Sequence, residues 1–511
     1  MPTKQEVKMA AKCYIYSYET NLCSIAFFDL TFACSFEKKP ENNQKVISLQ
    51  PASKPVVRAA PQPVVNLTEK VVLQDTLDVK KSLKHESVNG PARGTKPSGV
   101  KKKIPEAPGK LVNKGVITNT ANLNKNLQAA TSGDLLMKKA VDKAITDGYK
   151  ALKKPIAVIT TKSFMVDTED KHNFNSVAPY WHQQDNGTWK RIDGKANGLS
   201  GKIGDTVKLQ KGVGSVVPTL ALAYVASSNP AEKEKFAARA IEYCQKFFLN
   251  PATRMNPNLD YAQLIPGQNK IRVESAVEGE KLVEIVDALL LLQSSKHYTP
   301  EFDRQIRSWF GDMADWMVNS PTGKQADKKI RGNIGVIYET MRAAFAIFSG
   351  DTSYARRRLP RVKERLFAEM DSDGGLKLEL GRAKPNMYSN KALNAWLTLA
   401  RIMAIQDVDL WTLEENGKSL EKAVLFMVPY MMGEKKLNDT EEVQPRYFKE
   451  VARTAQYAYR NHPATVQALE QFLVKYDTDF REGDDPAILT ESYLPWMKGL
   501  PQPEFSSFQE Q

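Results

Sequence analysis

The chain has 511 residues, a net charge of +13 and 42% hydrophobic residues, ample for a large buried core if the apolar side chains were evenly spread. They are not: of 20 Phe, 7 Trp and 18 Tyr, none falls between Glu37 and Gly148, where an even share would place roughly ten. Residues 1–130 hold 20 Lys and Arg against 10 Asp and Glu, leaving 52 against 49 for the rest, so the basic charge belongs to the N-terminal part and a basic nucleic-acid-binding body is excluded.

In chain order, the first feature is the apolar run Cys23–Phe36 with Asp29 at its centre. It is shorter than the ~20 apolar residues that a membrane span needs. Two readings stay open, an apolar piece of tail or a degenerate export signal that would make the protein secreted or periplasmic. From Pro40 to Pro108 nine prolines interrupt a Lys-containing, aromatic-free stretch. Proline lacks a donor and breaks helices and central strands, so residues 1–130 read as a low-complexity, largely disordered basic tail. The Lys101–Lys103 run reads as solvated linker because no aromatics interleave with it. Four Cys and five scattered His leave neither a disulfide scaffold nor a metal spacing, and no cofactor motif is present.

From about Thr131 apolar residues recur at helical spacing. Stripes run over Pro218–Val225, Phe236–Leu249, Leu282–Leu290, Phe302–Met317, Met341–Phe348, Ala392–Met403, Leu420–Met427 and Val466–Leu473. Period-2 alternation is nearly absent, Leu376–Leu380 being its best case. Turn strings at 227–230, 319–323 and 349–351 separate the stripes by short connections, which predicts antiparallel helical hairpins. With no fixed repeat period, the expected fold is all-α, an (α/α) toroid forming an incomplete barrel over residues 131–500, with a flexible C-terminus at 501–511.

Several loops carry more aromatic and amide side chains than a connector needs, which suits sugar rings and hydroxyls. The strings DKHNFNSVAPYW (170–181), RIDG (191–194), LALAY (220–224) and FLNPATRMNPNLDYAQLIPG (248–267) resemble the alginate lyase domain family, polysaccharide lyases with a helical toroid. The similarity resumes at LVEIVDALLLL (282–292), WFGDMADWMVNSPTGK (309–324), Tyr388–Ser389 and LEKAVLFMVPY (420–430).

The resemblance implies β-elimination on an acidic polyuronide, chemistry that needs neither water nor metal, by a protein expected to be a monomer. It places Asn333, Arg382 and Tyr388 at catalytic positions, the first two neutralising the sugar carboxylate and the third moving protons. It points to His172, Tyr180, Trp181, Arg254, Asn258 and Tyr261 as substrate contacts. Ile334 stands where the family has its catalytic His, and Gly332 replaces the preceding Asn. Isoleucine neither donates a hydrogen bond nor accepts a proton, so activity is expected to be lowered or lost. His172 is one surrogate for the missing imidazole. Each catalytic candidate also has a plain structural role: Asn333 as a helix cap, Arg382 as a partner of Glu379 or Asp373, and Tyr388 as a buried aromatic at a helix start.

Two rival readings follow. One is a non-catalytic relative that grips polyuronide, motivated by Ile334. The other is a toroid glycoside hydrolase using a carboxylate pair drawn from Asp371, Asp373, Glu379 and Glu278. The composition also predicts that limited proteolysis trims the tail to a resistant core starting near residue 130, seen as a stable band by mass spectrometry. A full-length chain that survives digestion intact is the contrary outcome.

Overall fold

Helix-start chemistry sets the architecture. The computed structural model describes residues 116–163, 170–268, 270–478 and 484–490. Within them lie fourteen α-helices: α1 (Thr120–Thr131), α2 (Leu135–Leu152), α3 (Gly214–Ala226), α4 (Pro230–Cys244), α5 (Leu282–Leu291), α6 (Pro300–Asn319), α7 (Pro321–Lys329), α8 (Gly332–Phe348), α9 (Tyr354–Ala368), α10 (Lys377–Leu380), α11 (Pro385–Ala404), α12 (Leu420–Met431), α13 (Lys449–Ala458) and α14 (Pro463–Tyr476). The turn strings read from sequence become caps. Asn229, Thr299 and Ser320 each accept a first-turn backbone N–H, and proline follows each at the first helical position, where its missing donor costs nothing.

Helices α3, α5, α8, α11 and α13 pack successively and form an inner wall. Helices α2 and α4 back α3, α6 and α9 back α8, α12 backs α11, and α14 backs α13. This is an all-α ring of helical hairpins that does not close into a barrel, as the periodicity predicts. The stripe on α6 (Phe302, Ile306, Phe310, Met313 and Met317) is buried, each side chain contributing roughly 1.5–3 kcal/mol. Where α2 crosses α3, Gly148 is needed: a Cβ there would meet the Ala223 Cβ at 2.4 Å.

Three expectations are refined. Helix α1 lies across the expected tail boundary at 130, and its Leu123 and Asn126 are buried, so ordered structure reaches back at least to Val116 and the protease-resistant fragment moves with it. Residues 1–115, with the apolar run and the prolines, and residues 501–511 lie outside the described residues. The alternating segment Leu376–Leu380 is a single helical turn, not a strand. The described strands are two short hairpins, β1 (Trp181–Gln183) with β2 (Trp189–Arg191), and β3 (Glu414–Glu415) with β4 (Lys418–Ser419). Among the described residues no helix is long and apolar enough to cross a membrane.

The seam of the ring is bridged by a short 3₁₀ turn, Pro486–Leu489. Asn126 of α1 donates to the carbonyls of Ile488 and Leu489 at 3.1 and 3.2 Å. From the other side Arg453 of α13, itself buried, grips Asp477 at 2.5 and 2.7 Å and Asp485 at 3.1 Å. Removing the guanidinium leaves buried Asp477 with the longer Lys449 contact at 3.6 Å and Asp485 with the Ala487 N–H at 3.0 Å, so Arg453→Ala is expected to lower unfolding free energy by about 3 kcal/mol in denaturant titration. A loss within error of zero would show that the seam does not depend on this pair.

Candidate active site

Two of the loops singled out by sequence close on each other like a buckle. Val177 pairs with Leu264 in a parallel bridge, flanked by Ser176 N–H to Tyr261 O at 3.2 Å and Ala178 N–H to Leu264 O at 2.9 Å. The Asn256 side chain donates to Asp170 at 2.7 Å and Asn173 at 2.9 Å, and its backbone N–H reaches His172 O at 2.9 Å. Trp309 Nε1 on α6 donates to Met255 O at 2.8 Å, fixing the buckle to the helical body. The chain leaving it enters β1, and Tyr180 and Trp181 project into a cavity of about 600 Å³ enclosed by the inner helices.

That cavity brings together Asn333, Ile334, Arg382 and Tyr388 with Tyr180 and Trp181. It does not take in His172, Arg254, Asn258 or Tyr261. His172 Nδ1 is 2.6 Å from Arg254 O, and the Asn258 side chain contacts Asn173 at 3.4 Å, so these residues serve the buckle. The surrogate imidazole thus stands outside the cavity. Of the hydrolase carboxylates, Glu278 lines the cavity, Glu379 lines the adjoining recess, and Asp371 and Asp373 line neither.

Tyr388 sits in the first turn of α11, which a distant carboxylate holds in place. Glu441 accepts from the backbone N–H groups of Asn386 and Met387 at 2.7 and 2.9 Å, where the helix dipole favours negative charge. The Tyr388 side chain is buried, and its hydroxyl faces the Tyr180 phenol rather than any carboxylate, carbonyl or cation that would hold it. Burial, with the Tyr180 phenol beside it, pushes its pKa up, while Arg382 pulls the other way. Trp181 Nε1 is buried and unpaired, a donor aimed at the same space.

Arg382 is committed on its edge and its face. Nε and Nη2 donate to Asp193 at 3.0 and 2.7 Å, and the guanidinium carbon lies 3.6 Å from the centroid of the Tyr388 ring. Glu379, the partner expected from sequence, is 3.9 Å away, and the other, Asp373, makes no such pair; Asp193 takes the fork instead. Arg191 at 2.8 Å and the Ala383 N–H at 3.0 Å hold Asp193 from other sides. The hydrogen bond from Arg382 drives the Asp193 pKa down to about 2 against the opposing effect of partial burial.

Asn333 lies in the first turn of α8. Its backbone N–H donates to Glu379 Oε1 at 2.6 Å and its side chain to Oε2 at 2.7 Å. Burial raises the Glu379 pKa, and the Asn333 hydrogen bonds partly offset that. The same carboxylate explains Gly332, whose φ is +62° and whose added Cβ would stand 2.2 Å from Glu379 Oε1. A side chain there would push Glu379 away from its Asn333 hydrogen bonds, so the glycine and the position of Glu379 go together. Ile334, partly buried, packs on the core and presents an aliphatic patch to the cavity beside Asn333.

Sequence reasoning missed Asp193, Glu379 in its role as Asn333's acceptor, and Glu441. Asp193 was visible only as part of the RIDG string. Among the described residues no cluster of three or more His, Cys, Asp or Glu is arranged to hold a metal ion.

Because the Asp193 pKa is lower folded than its unfolded value of about 3.9, the pair stabilises the fold above that pH and its contribution fades as pH falls toward 2. Asp193→Asn should therefore cost about 1–2 kcal/mol at pH 7 and progressively less in acid. Equal losses at pH 7 and pH 3 in denaturant titrations would contradict the coupling.

Comparison with known proteins agrees with the resemblance. A solved alginate lyase from Bacteroides ovatus is 28% identical, with a TM-score of 0.65 over 70% of this chain and 96% of its own. Alginate lyase A1-III from Sphingomonas species A1 is 17% identical, with a TM-score of 0.46 over 76% of this chain and all of its own (100%). No curated protein sequence matches. The alginate lyase family profile matches residues 158–437, more than half of the chain and the part of the ring that carries Asn333, Arg382 and Tyr388, and the chain therefore belongs to the alginate lyase family.

Proposed function

We propose that the cavity binds an acidic polyuronide and cleaves it slowly by β-elimination. One observation carries this reading: a buried phenol, beside a second phenol, shares a cavity with an amide and a guanidinium stacked on its own ring. In the step, the Tyr388 phenolate takes the proton from C5 of the sugar. The electron pair forms the C4–C5 double bond, the C4–O bond breaks, and the same phenol returns a proton to the departing oxygen. Atoms and charge balance with no added water. Trp181 and Tyr180 offer flat faces to the rings on either side.

Ile334 favours the second reading, retention of the polymer without cleavage. It supplies neither the donor nor the base of the family's His, and loss of one such donor costs about 10²–10³-fold in rate.

The assay is growth of near-ultraviolet absorbance from unsaturated uronyl ends on polymannuronate, polyguluronate and glucuronan. Tyr388→Phe is expected to lower the rate by about 10²–10⁴-fold. Ile334→His is expected to raise it. Since burial raises the phenol's pKa, only a small ionised fraction is present at neutral pH, and the rate should climb by about tenfold per pH unit on the alkaline side. Polymer binding with no absorbance change at any pH favours the non-cleaving reading, and unsaturated product that survives Tyr388→Phe removes Tyr388 from the chemistry.

A further inference from the structure

An acidic sugar whose C5 proton faces Tyr388 must place its carboxylate against a cation within the same few ångströms. Arg382 is poorly placed to be that cation. Asp193 occupies its fork through two charge-assisted hydrogen bonds and is itself held by Arg191 and the Ala383 N–H. One face of the guanidinium is stacked on Tyr388, and Nη1 is turned toward Glu379 at 3.9 Å. A sugar carboxylate would have to displace a fixed carboxylate of the same charge and geometry.

Lys391 lies on α11 three residues after Tyr388, hence on the same helix face, and lines the same cavity. The ion-pair partner of its ammonium is Glu280 at 3.3 Å, a single contact to a group that carries three donors. Glu280 also lines the cavity. Tyr180, Tyr388 and Lys391 all line that one space. A carboxylate entering here exchanges with one long contact and leaves the Asp193–Arg382 fork intact.

We propose that Lys391 receives the carboxylate of the bound uronate, and that Arg382, held by Asp193, positions the Tyr388 ring. This rests on the polyuronide reading above. Lys391 is then a specificity-determining residue outside the Asn, Arg and Tyr set, and Glu280 is the internal competitor that tunes its affinity.

The test is isothermal titration of the full chain with tetramers of mannuronate, guluronate and glucuronate, with each variant's melting temperature as a folding control. Lys391→Met should weaken binding of the preferred tetramer by at least about tenfold, the size of one charge-assisted hydrogen bond, and Lys391→Arg should restore most of it. Glu280→Gln should tighten binding, a gain that a merely damaged fold cannot produce, which keeps the proposal testable if Lys391→Met fails to fold. Lys391→Met within twofold of the parent, or Glu280→Gln without gain, overturns the assignment. Tighter binding by Asp193→Asn with no effect of Lys391→Met overturns it in favour of Arg382. A parent chain that binds none of the tetramers defeats the polyuronide reading itself, an outcome distinct from the others.

Discussion

The contact that organises this cavity is the Arg382 guanidinium held between the Asp193 carboxylate and the Tyr388 ring. It joins two pieces of chain 189 residues apart in sequence: the loop after β2, and the connection from α10 into the first turn of α11. A guanidinium is suited to this because its edge and its face act independently, the edge forking onto a carboxylate and the face stacking on an aromatic ring. The stack sets the orientation of the phenol, and burial around it sets the phenol's proton affinity. Without the carboxylate on its far side, the partly desolvated guanidinium would keep the 3.9 Å approach of Glu379 in place of two charge-assisted hydrogen bonds, a costlier state.

A second arrangement surrounds Ile334. At Gly332, Asn333 and Ile334 three features move together. Position 332 has a left-handed backbone and no room for a side chain beside Glu379, position 333 gives both its backbone N–H and its amide to buried Glu379, and position 334 packs on the core. A lone exchange of His for Ile would leave a polar setting around an aliphatic side chain. Here the polar groups beside it are satisfied from within by Glu379, so the region is internally consistent as a packed structural element. That consistency separates a remodelled region from a merely damaged one.

Much of the fold was legible, and the omissions have physical causes. The stripes with large side chains all became helices, as α6 and α11 illustrate. Helix α2 escaped notice because its buried face is Met137, Ala140, Ala144, Gly148 and Ala151, small residues chosen for close approach to α3, which give almost no periodic signal. Helix α9 was masked by its arginines, of which Arg358 and Arg365 turn inward to Glu339. Leu376–Leu380 alternates, yet burial of Glu379 for Asn333 makes it helical. Within the site, motif matching found Asn333, Arg382 and Tyr388, while their fixed partners were hidden by distance along the chain. Asp193 lies 189 residues from Arg382, Glu379 46 from Asn333, and Glu441 55 from Asn386. Carboxylates so remote have no local signature, and the loop strings that looked most like a binding site, around His172 and Asn258, turned out to be the buckle that positions Tyr180 and Trp181.

Charge also constrains how a polyanion could be captured. The excess of basic residues lies before residue 131, leaving the rest of the chain nearly balanced, so little long-range field draws an acidic polymer toward the ring. Inside the cavity, Arg382, Arg191, Arg272, Lys281 and Lys391 each have a carboxylate partner. On the polyuronide reading proposed above, a sugar carboxylate that reaches any of these five cations would replace an internal one. Selectivity in such an exchange depends on which internal pair is weakest. A bidentate fork resists exchange more than a single 3.3 Å contact, so on that reading a polymer's register on the cavity wall would follow from the relative strength of the protein's own ion pairs.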